Sequence, residues 1–226
     1  NDFFVSADGA NWMAQGDLNG ATTGDDVLVY NNSVVIQEDS TLSGFASPVS
    51  AITESIMETN GDWYARGSND DGQDWLLRNG ALIAKTGDAI PGGLPGETIS
   101  DALFGSAFFT MGGNNNGDVF WGATTSNLDP EADAVIVVND MVILRQGDAV
   151  DLDGNGLLDD GVFVDIFNND DGFLTDDLKY YFTADLVDAN GSSLGQAFLR
   201  IEVPAPGALA LFGLAGLAGC RRRRSA

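Results

Sequence analysis

The segment Asn60-Gly-Asp-Trp-Tyr-Ala-Arg-Gly67 recurs further along the chain as Asn116-Gly-Asp-Val-Phe-Trp-Gly122. The segment Leu76-Leu-Arg-Asn-Gly-Ala-Leu-Ile-Ala-Lys-Thr-Gly-Asp88 recurs as Val137-Val-Asn-Asp-Met-Val-Ile-Leu-Arg-Gln-Gly-Asp148. An earlier copy includes Trp12-Met-Ala-Gln-Gly16 and 27–39, and a later one begins at Leu178 and ends with Gln196-Ala-Phe-Leu-Arg-Ile-Glu-Val203. The chain before Pro204 is therefore an internal repeat, and such periods are typical of tandem architectures.

Each repeat has the pattern of β-structure. Short runs rich in Val, Ile, Phe, Tyr and Trp alternate with turn residues, and no long run has a helical period. Asn79-Gly80 lies between two apolar runs, and Asn31-Asn32 and Asn139-Asp140 occupy the same place in other copies. Two-residue loops of this composition favour type I′ turns, because Asn and Gly tolerate positive φ. The predicted hairpins join 74–78 to 81–86 and 133–138 to 141–146.

Three or four strands in each repeat of about 56 to 60 residues is the size of a β-propeller blade. We therefore predict an all-β fold of tandem β-meander repeats, similar to a β-propeller. It would hold about four blade-like units, the first of them incomplete, over residues 1–203. A C-terminal hydrophobic helix within 204–226 would follow. An irregular β-sandwich is the alternative fold.

The charge of the chain is concentrated in the repeats. The formal net charge is −24, and the part before Pro204 carries all 34 acidic residues but only six of the ten basic ones. Such an acidic surface repels phosphate backbones, so no nucleic-acid partner is expected. There is no histidine and the one cysteine is Cys220, which argues against His-dependent catalysis and against disulfides in the repeats.

The last two dozen residues contrast with this body. Pro204-Ala-Pro206 is followed by residues 208–220, which contain no charged residue, and then by four arginines. Residues 203–220 are marginally long enough to span a membrane, and the arginines would hold the C-terminus on the cytoplasmic side. A buried C-terminal helix and a permanent tail anchor are the alternatives. The chain begins at Asn1 without an N-terminal signal peptide, so it is either a processed form or a fragment of an exported protein, and the presence of the tail favours a fragment.

The order of Pro motif, apolar stretch, Arg cluster and chain end resembles the PEP-CTERM sorting signal of exported bacterial proteins. The name-giving Glu of that family is replaced here by Ala205. The resemblance implies an exosortase-like membrane processing enzyme as partner, transient anchoring in the inner membrane, and a final location at the cell surface or outside the cell. The sorting-signal residues that it implies are Pro204, Pro206, Arg221, Arg222, Arg223 and Arg224.

One acidic segment has the order of ligands of a calcium loop. Asp151-Leu-Asp-Gly-Asn-Gly-Leu-Leu-Asp159 places oxygen ligands at positions 1, 3, 5 and 9, a turn glycine at 6 and a backbone carbonyl at 7. Position 12 is Val162, so the loop resembles dockerin-type or thrombospondin-type calcium loops and not an EF-hand. Asp148, Asp160 or Asp165 could supply a missing ligand. The predicted structural calcium ligands are Asp151, Asp153, Asn155, Leu157 and Asp159.

These observations predict an exported repeat protein with a binding or structural function, and not an enzyme. An extracellular polysaccharide is a candidate partner, and a space-filling matrix component is a further possibility. The alternative of a different class is a carbohydrate-active hydrolase that uses paired carboxylates. With 34 acidic residues, a chance carboxylate pair is expected, so that pattern carries no information. The tryptophans Trp12, Trp63, Trp75 and Trp121 could stack on sugars, although the strand positions of the last three favour core packing.

Overall fold

The computed structural model describes residues 2–19, 23–100, 106–168 and 172–204. These residues form strands and turns, with no helix among them, so the all-β prediction is confirmed. The strands form four antiparallel sheets in chain order. Sheet 1 contains β1 (Asp2–Val5), β2 (Trp12–Asp17), β3 (Asp26–Tyr30) and β4 (Ser33–Gln37); sheet 2 contains β5 (Val49–Met57), β6 (Trp63–Asn69), β7 (Asp74–Arg78) and β8 (Ala81–Lys85). Sheet 3 contains β9 (Phe108–Gly113), β10 (Val119–Thr124), β11 (Ala134–Val138) and β12 (Met141–Arg145); sheet 4 contains β13 (Val162–Phe167), β14 (Phe173–Leu174), β15 (Lys179–Asp188) and β16 (Ser193–Glu202).

The repeated Asn-x pairs form the expected tight turns. Asn79 and Gly80 have φ values of 51° and 79°, and Asn31-Asn32 and Asn139-Asp140 are also left-handed, as a type I′ turn requires. The first asparagine has a second function, because its side-chain oxygen accepts a hydrogen bond from the strand that precedes the hairpin. The Asn79 Oδ1 atom lies 2.9 Å from the Trp63 amide nitrogen. Equivalent bonds join Asn31 to Trp12 and Asn139 to Val119.

The four sheets stack face to face in the order of the chain, and each neighbouring pair shares one hydrophobic core. Sheets 2 and 3 are covered on both faces, so all five residues of β11 are buried. Sheet 4 is covered on one face, so burial alternates along β15, as expected for a half-covered strand. The core between sheets 1 and 2 includes Met13, Leu28, Ile52 and Trp75; that between sheets 2 and 3 includes Tyr64, Leu76, Trp121 and Val135; that between sheets 3 and 4 includes Phe120, Ile136, Phe167 and Phe182.

Polar side chains connect sheet 2 to sheet 3 inside this stack. On the face of sheet 2 that meets sheet 3, the Arg66 guanidinium donates to the Phe108 carbonyl and lies 2.6 Å from Glu54 Oε2. On the neighbouring strand, the Asp74 carboxylate accepts from the Ala107 N–H at 2.5 Å. One donor and one acceptor thus hold the backbone of the next sheet's first strand. We call such a donor and acceptor pair an inter-sheet clasp; in sheet 2 it consists of Arg66 and Asp74.

An equivalent clasp, formed by Gln15 and Asp26, joins sheet 1 to sheet 2. Gln15 Nε2 donates to the Ile52 carbonyl at 2.8 Å. Asp26 accepts from the Ile52 N–H, and burial raises the pKa of its carboxyl against this bond. Buried backbone groups are costly when unpaired, so the clasps fix the position of each sheet on the next. Sheet 3 has Gly122 and Ala134 at these positions, and in their place the stacked Phe109 and Phe167 rings, 5.7 Å apart, pack between sheets 3 and 4.

One detail of the predicted fold is wrong, and another lies outside the described residues. The first repeat was expected to be incomplete, which is wrong, because sheet 1 has four consecutive strands. Sheet 4 is the irregular sheet: β13 and β14 pair with the two halves of one edge of β15, and β16 pairs with the other edge. A split first strand therefore accounts for its fourth strand. The predicted C-terminal helix lies outside the described residues, where Pro206 and Arg221 to Arg224 also fall.

Candidate functional site

The acidic loop that connects sheet 3 to sheet 4 is closed by its own carboxylates. Asp151 accepts hydrogen bonds from the backbone N–H groups of Gly154 at 2.8 Å and Gly156 at 2.8 Å. Both glycines have positive φ, 73° and 85°, which explains glycine at these positions. Asp160 accepts from the Leu152 N–H at 2.6 Å and so joins the two ends of the loop.

Three of these carboxylates converge. Ligand oxygens of Asp151, Asp153 and Asp160 lie within 4.8 Å of one another, which is a spacing that a cation such as Ca²⁺ can bridge with its several oxygen ligands. The converging group contains Asp160 and does not include Asp159, the residue that the ligand spacing assigns to position nine. Asp160 was one of three candidates for a missing ligand, and its bond to Leu152 is the contact that brings it into the group.

The other predicted ligands stay close to the same turn. Asn155 Nδ2 donates to Asp153 Oδ2 at 3.0 Å, and Asn155 Oδ1 accepts from the Leu157 N–H at 2.7 Å. The Leu157 side chain is exposed, which fits a residue that would contribute only its carbonyl. The base of the loop is attached to sheet 4, because Val150 N donates to the Val162 carbonyl at 2.9 Å. An ion in the loop would therefore stabilise the connection between two sheets.

An acidic groove of about 560 Å³ lies at the same edge of sheets 3 and 4, lined by Asp129, Glu131, Asp148, Asp165 and Asp188 among others. Several of these carboxylates serve as turn acceptors. Asp148 accepts from the Arg145 N–H at 2.7 Å. Asp188 accepts from the N–H groups of Ser192 and Asn190, and these two bonds lower the pKa of its carboxyl. The groove is therefore negatively charged, and its carboxylates Asp148 and Asp188 already stabilise turns by accepting backbone hydrogen bonds.

The guanidinium group of Arg145, which also lines this groove, is held by hydrogen bonds and an ion pair. Arg145 forms two bonds of 2.7 Å to the Glu97 carboxylate and one of 2.6 Å to the Ala132 carbonyl. Burial by itself would raise the pKa of Glu97, but the bonds from Arg145 and Thr125 outweigh it and hold the pKa below its usual range. This ion pair attaches the long connection between β8 and β9 to sheet 3, so the function of Arg145 is structural.

The tryptophans that could have formed a sugar-binding platform are in the core. Trp63, Trp75 and Trp121 are at most 4% exposed. Trp12 is half-buried, and its ring lies 6.3 Å from that of Phe3. The core-packing interpretation of the three repeat tryptophans is therefore confirmed.

The chain leaves the last sheet at Val203, which is buried and donates its N–H to the Leu178 carbonyl at 2.9 Å. Pro204 is the last described residue. Residues 2–204, as far as they are described, include no helix with the length and apolar character of a membrane span. Comparison of the chain with protein-family models, curated proteins and solved structures found no match.

Proposed function

We propose that this chain is the repeat body and sorting tail of an exported bacterial protein, with a structural or binding function at the cell surface or in the extracellular matrix. The observation that carries the proposal is the change of character at Pro204. Sixteen strands of an acidic body end at Glu202. An uncharged apolar segment and four arginines then follow. An exosortase-like enzyme is the proposed processing partner.

The stacked sheets support a structural or binding function for the body. Each inner sheet is held on both faces by apolar cores and, at two junctions, by polar clasps. Such a stack presents a rigid acidic surface, which suits a matrix or surface component that binds polysaccharide. The four sheets have the consecutive antiparallel order of blades, and we propose that they belong to a propeller-like assembly.

The arginine cluster is the part of the tail that tests export most sharply. With a signal peptide fused before Asn1, replacement of Arg221 to Arg224 by serine in an exosortase-containing bacterium should reduce the amount of body reached by external protease on intact cells by about tenfold, because positive charge fixes the cytoplasmic end of such a segment. Replacement by lysine is the matched control and should leave surface display unchanged. Equal display of the serine variant, or loss in the lysine variant, would contradict the assignment.

We also propose that the loop 151–160 binds one structural Ca²⁺ ion. Three carboxylates within 4.8 Å repel one another unless they are neutralised, and two of them, Asp151 and Asp153, stand at positions 1 and 3 of a calcium loop. Asp151, Asp153 and Asp160 would bind through carboxylates, and the Asn155 side chain and the Leu157 carbonyl are the proposed remaining protein ligands. The ion would order the link between sheets 3 and 4.

Calcium should therefore raise the thermal stability of the protein. At a Ca²⁺ concentration about 100 times the dissociation constant, the gain in unfolding free energy is about 2.7 kcal/mol, which corresponds to several degrees in Tm for a chain of this size. Asp153→Ala should abolish the gain, while Asp8→Ala, which alters a separate Asx turn, should retain it. A Tm that is equal in Ca²⁺ and in chelator would refute the site.

A further inference from the structure

The outward face of sheet 1 is apolar and uncovered. Alternation along β2 places Trp12 and Ala14 opposite to Met13, which is buried in the core. Phe3 pairs with Ala14 on the same face, and Val5 pairs with Trp12. Phe3 is 67% exposed and Val5 51%. Apolar side chains arranged together on an exposed sheet face mark an interaction surface.

The sequence of this face repeats that of a face which is covered inside the molecule. Trp12-Met-Ala-Gln-Gly16 in β2 matches Trp63-Tyr-Ala-Arg-Gly67 in β6 at each outward-facing position. In sheet 2, this Trp-x-Ala-x-Gly face is covered by sheet 1, with the Tyr30 ring 6.2 Å from the Trp63 ring. Trp63 and Ala65 are consequently buried. The outward face of sheet 1 thus has the residues that elsewhere in this chain receive a preceding sheet.

The outward face of sheet 4 corresponds to the face on which sheets 1, 2 and 3 receive the following sheet. The bond from Val203 N to Leu178 O corresponds to that from Asn79 N to Trp63 O, which makes Tyr181 the equivalent of Arg66 and Phe198 the equivalent of Asp74. Sheet 4 therefore has aromatic rings where sheet 2 has the inter-sheet clasp. The Tyr181 and Phe198 rings stack with centroids 5.7 Å apart.

These rings are also uncovered. Phe198 is 70% exposed, and Phe173, which pairs with Tyr181 in the sheet, is 58% exposed. In sheets 1, 2 and 3, the equivalent face is covered by the following sheet. Among the residues that the structure describes, no further sheet covers the outward face of sheet 1 or that of sheet 4.

We propose that a second copy of this chain covers these faces, with sheet 4 of one copy packed on sheet 1 of the next. The contact repeats the stacking that already joins the sheets within one copy, so the partner surface is present on the chain itself. Because the two faces differ, the contact is head to tail, and it extends into rings or filaments. It goes beyond the proposed export and does not depend on it.

Sedimentation velocity of the full chain tests this proposal, with a non-ionic detergent present to cover the apolar tail and 0.15 M salt to screen charge over about 8 Å. Phe3→Asp blocks the sheet 1 face and Phe198→Asp the sheet 4 face; both side chains are exposed, so folding should persist. Leu128→Asp, at a side chain that is 98% exposed in a loop, is the control. If either blocking variant loses its near-ultraviolet circular dichroism, Val5→Asp or Phe173→Asp replaces it.

Wild type and the Leu128→Asp control should form oligomers that grow with concentration. Each blocked variant should associate at least about tenfold more weakly, because a buried charge replaces an aromatic contact. An equimolar mixture of the two blocked variants should form a dimer and nothing larger, since one intact face of each kind remains. Three results would overturn the proposal: a monomeric wild type, a blocked variant that associates as strongly as the wild type, or a mixture that stays monomeric.

Discussion

Trp75→Ala is expected to lower the free energy of unfolding by about 3–5 kcal/mol, the range for truncation of a fully buried large aromatic side chain. The indole is 0% exposed in the core between sheets 1 and 2. The neighbouring strand has glycine where it passes the ring, and only glycine leaves enough room: a Cβ atom on Gly67 would lie 2.5 Å from the Trp75 ring and 2.1 Å from the Ala51 carbonyl oxygen. A smaller side chain would leave a cavity that the sheets cannot close.

Denaturant titration followed by far-ultraviolet circular dichroism measures this loss. Leu128→Ala is the matched control, since Leu128 is 98% exposed, and its change should stay within about 0.5 kcal/mol. A loss below about 1 kcal/mol for Trp75→Ala would mean that sheets 1 and 2 do not pack through this side chain.

Arg66→Leu is expected to cost about 3–5 kcal/mol, because it removes one partner of a buried ion pair and leaves the other charged. The Arg66 side chain is 10% exposed and its Glu54 partner 22%. The substitution also leaves the Phe108 carbonyl without its guanidinium donor. The effect should be larger than that of a surface ion pair, whose contribution is about 0–1 kcal/mol.

Two variants give this experiment its controls. Arg200→Leu removes the same chemical group from an exposed position on sheet 4 and, at a protein concentration at which the chain is monomeric, should change stability by about 0.5 kcal/mol or less. The double variant Arg66→Leu with Glu54→Leu should recover part of the loss, since the carboxylate that loses its guanidinium partner is removed too. Equal effects of Arg66→Leu and Arg200→Leu would show that the clasp does not hold sheet 3 on sheet 2.

The hairpins of the repeat could be predicted because their signal is local. Asn79-Gly80 requires positive φ whatever surrounds it, and β7 and β8 begin and end within one residue of the predicted strands. The stacking could not be predicted in this way. All five residues of β11 are apolar and buried; such a run indicates cover on both faces, but it does not identify the sheets that supply the cover.

The clasps were missed because their partners are distant in sequence. Arg66 reaches Phe108, 42 residues away, and an arginine within an apolar strand has no local feature that names its acceptor. The structure of the acidic loop could be predicted only in part. Its glycine turn follows from the sequence, but the inclusion of Asp160 in place of Asp159 depends on how the loop closes on Leu152. Residue spacing alone does not contain that contact.

Amide hydrogen exchange tests the stacking of the four sheets, on which the proposed contact between copies of the chain depends. Sheets 2 and 3 are covered on both faces, so their central strands β6, β7, β10 and β11 can exchange only when the whole stack opens. We predict that amides of these strands exchange most slowly, and those of β2 and β15 in the end sheets faster. Equal protection in all four sheets, or slowest exchange in sheet 1 or sheet 4, would contradict the stacking order.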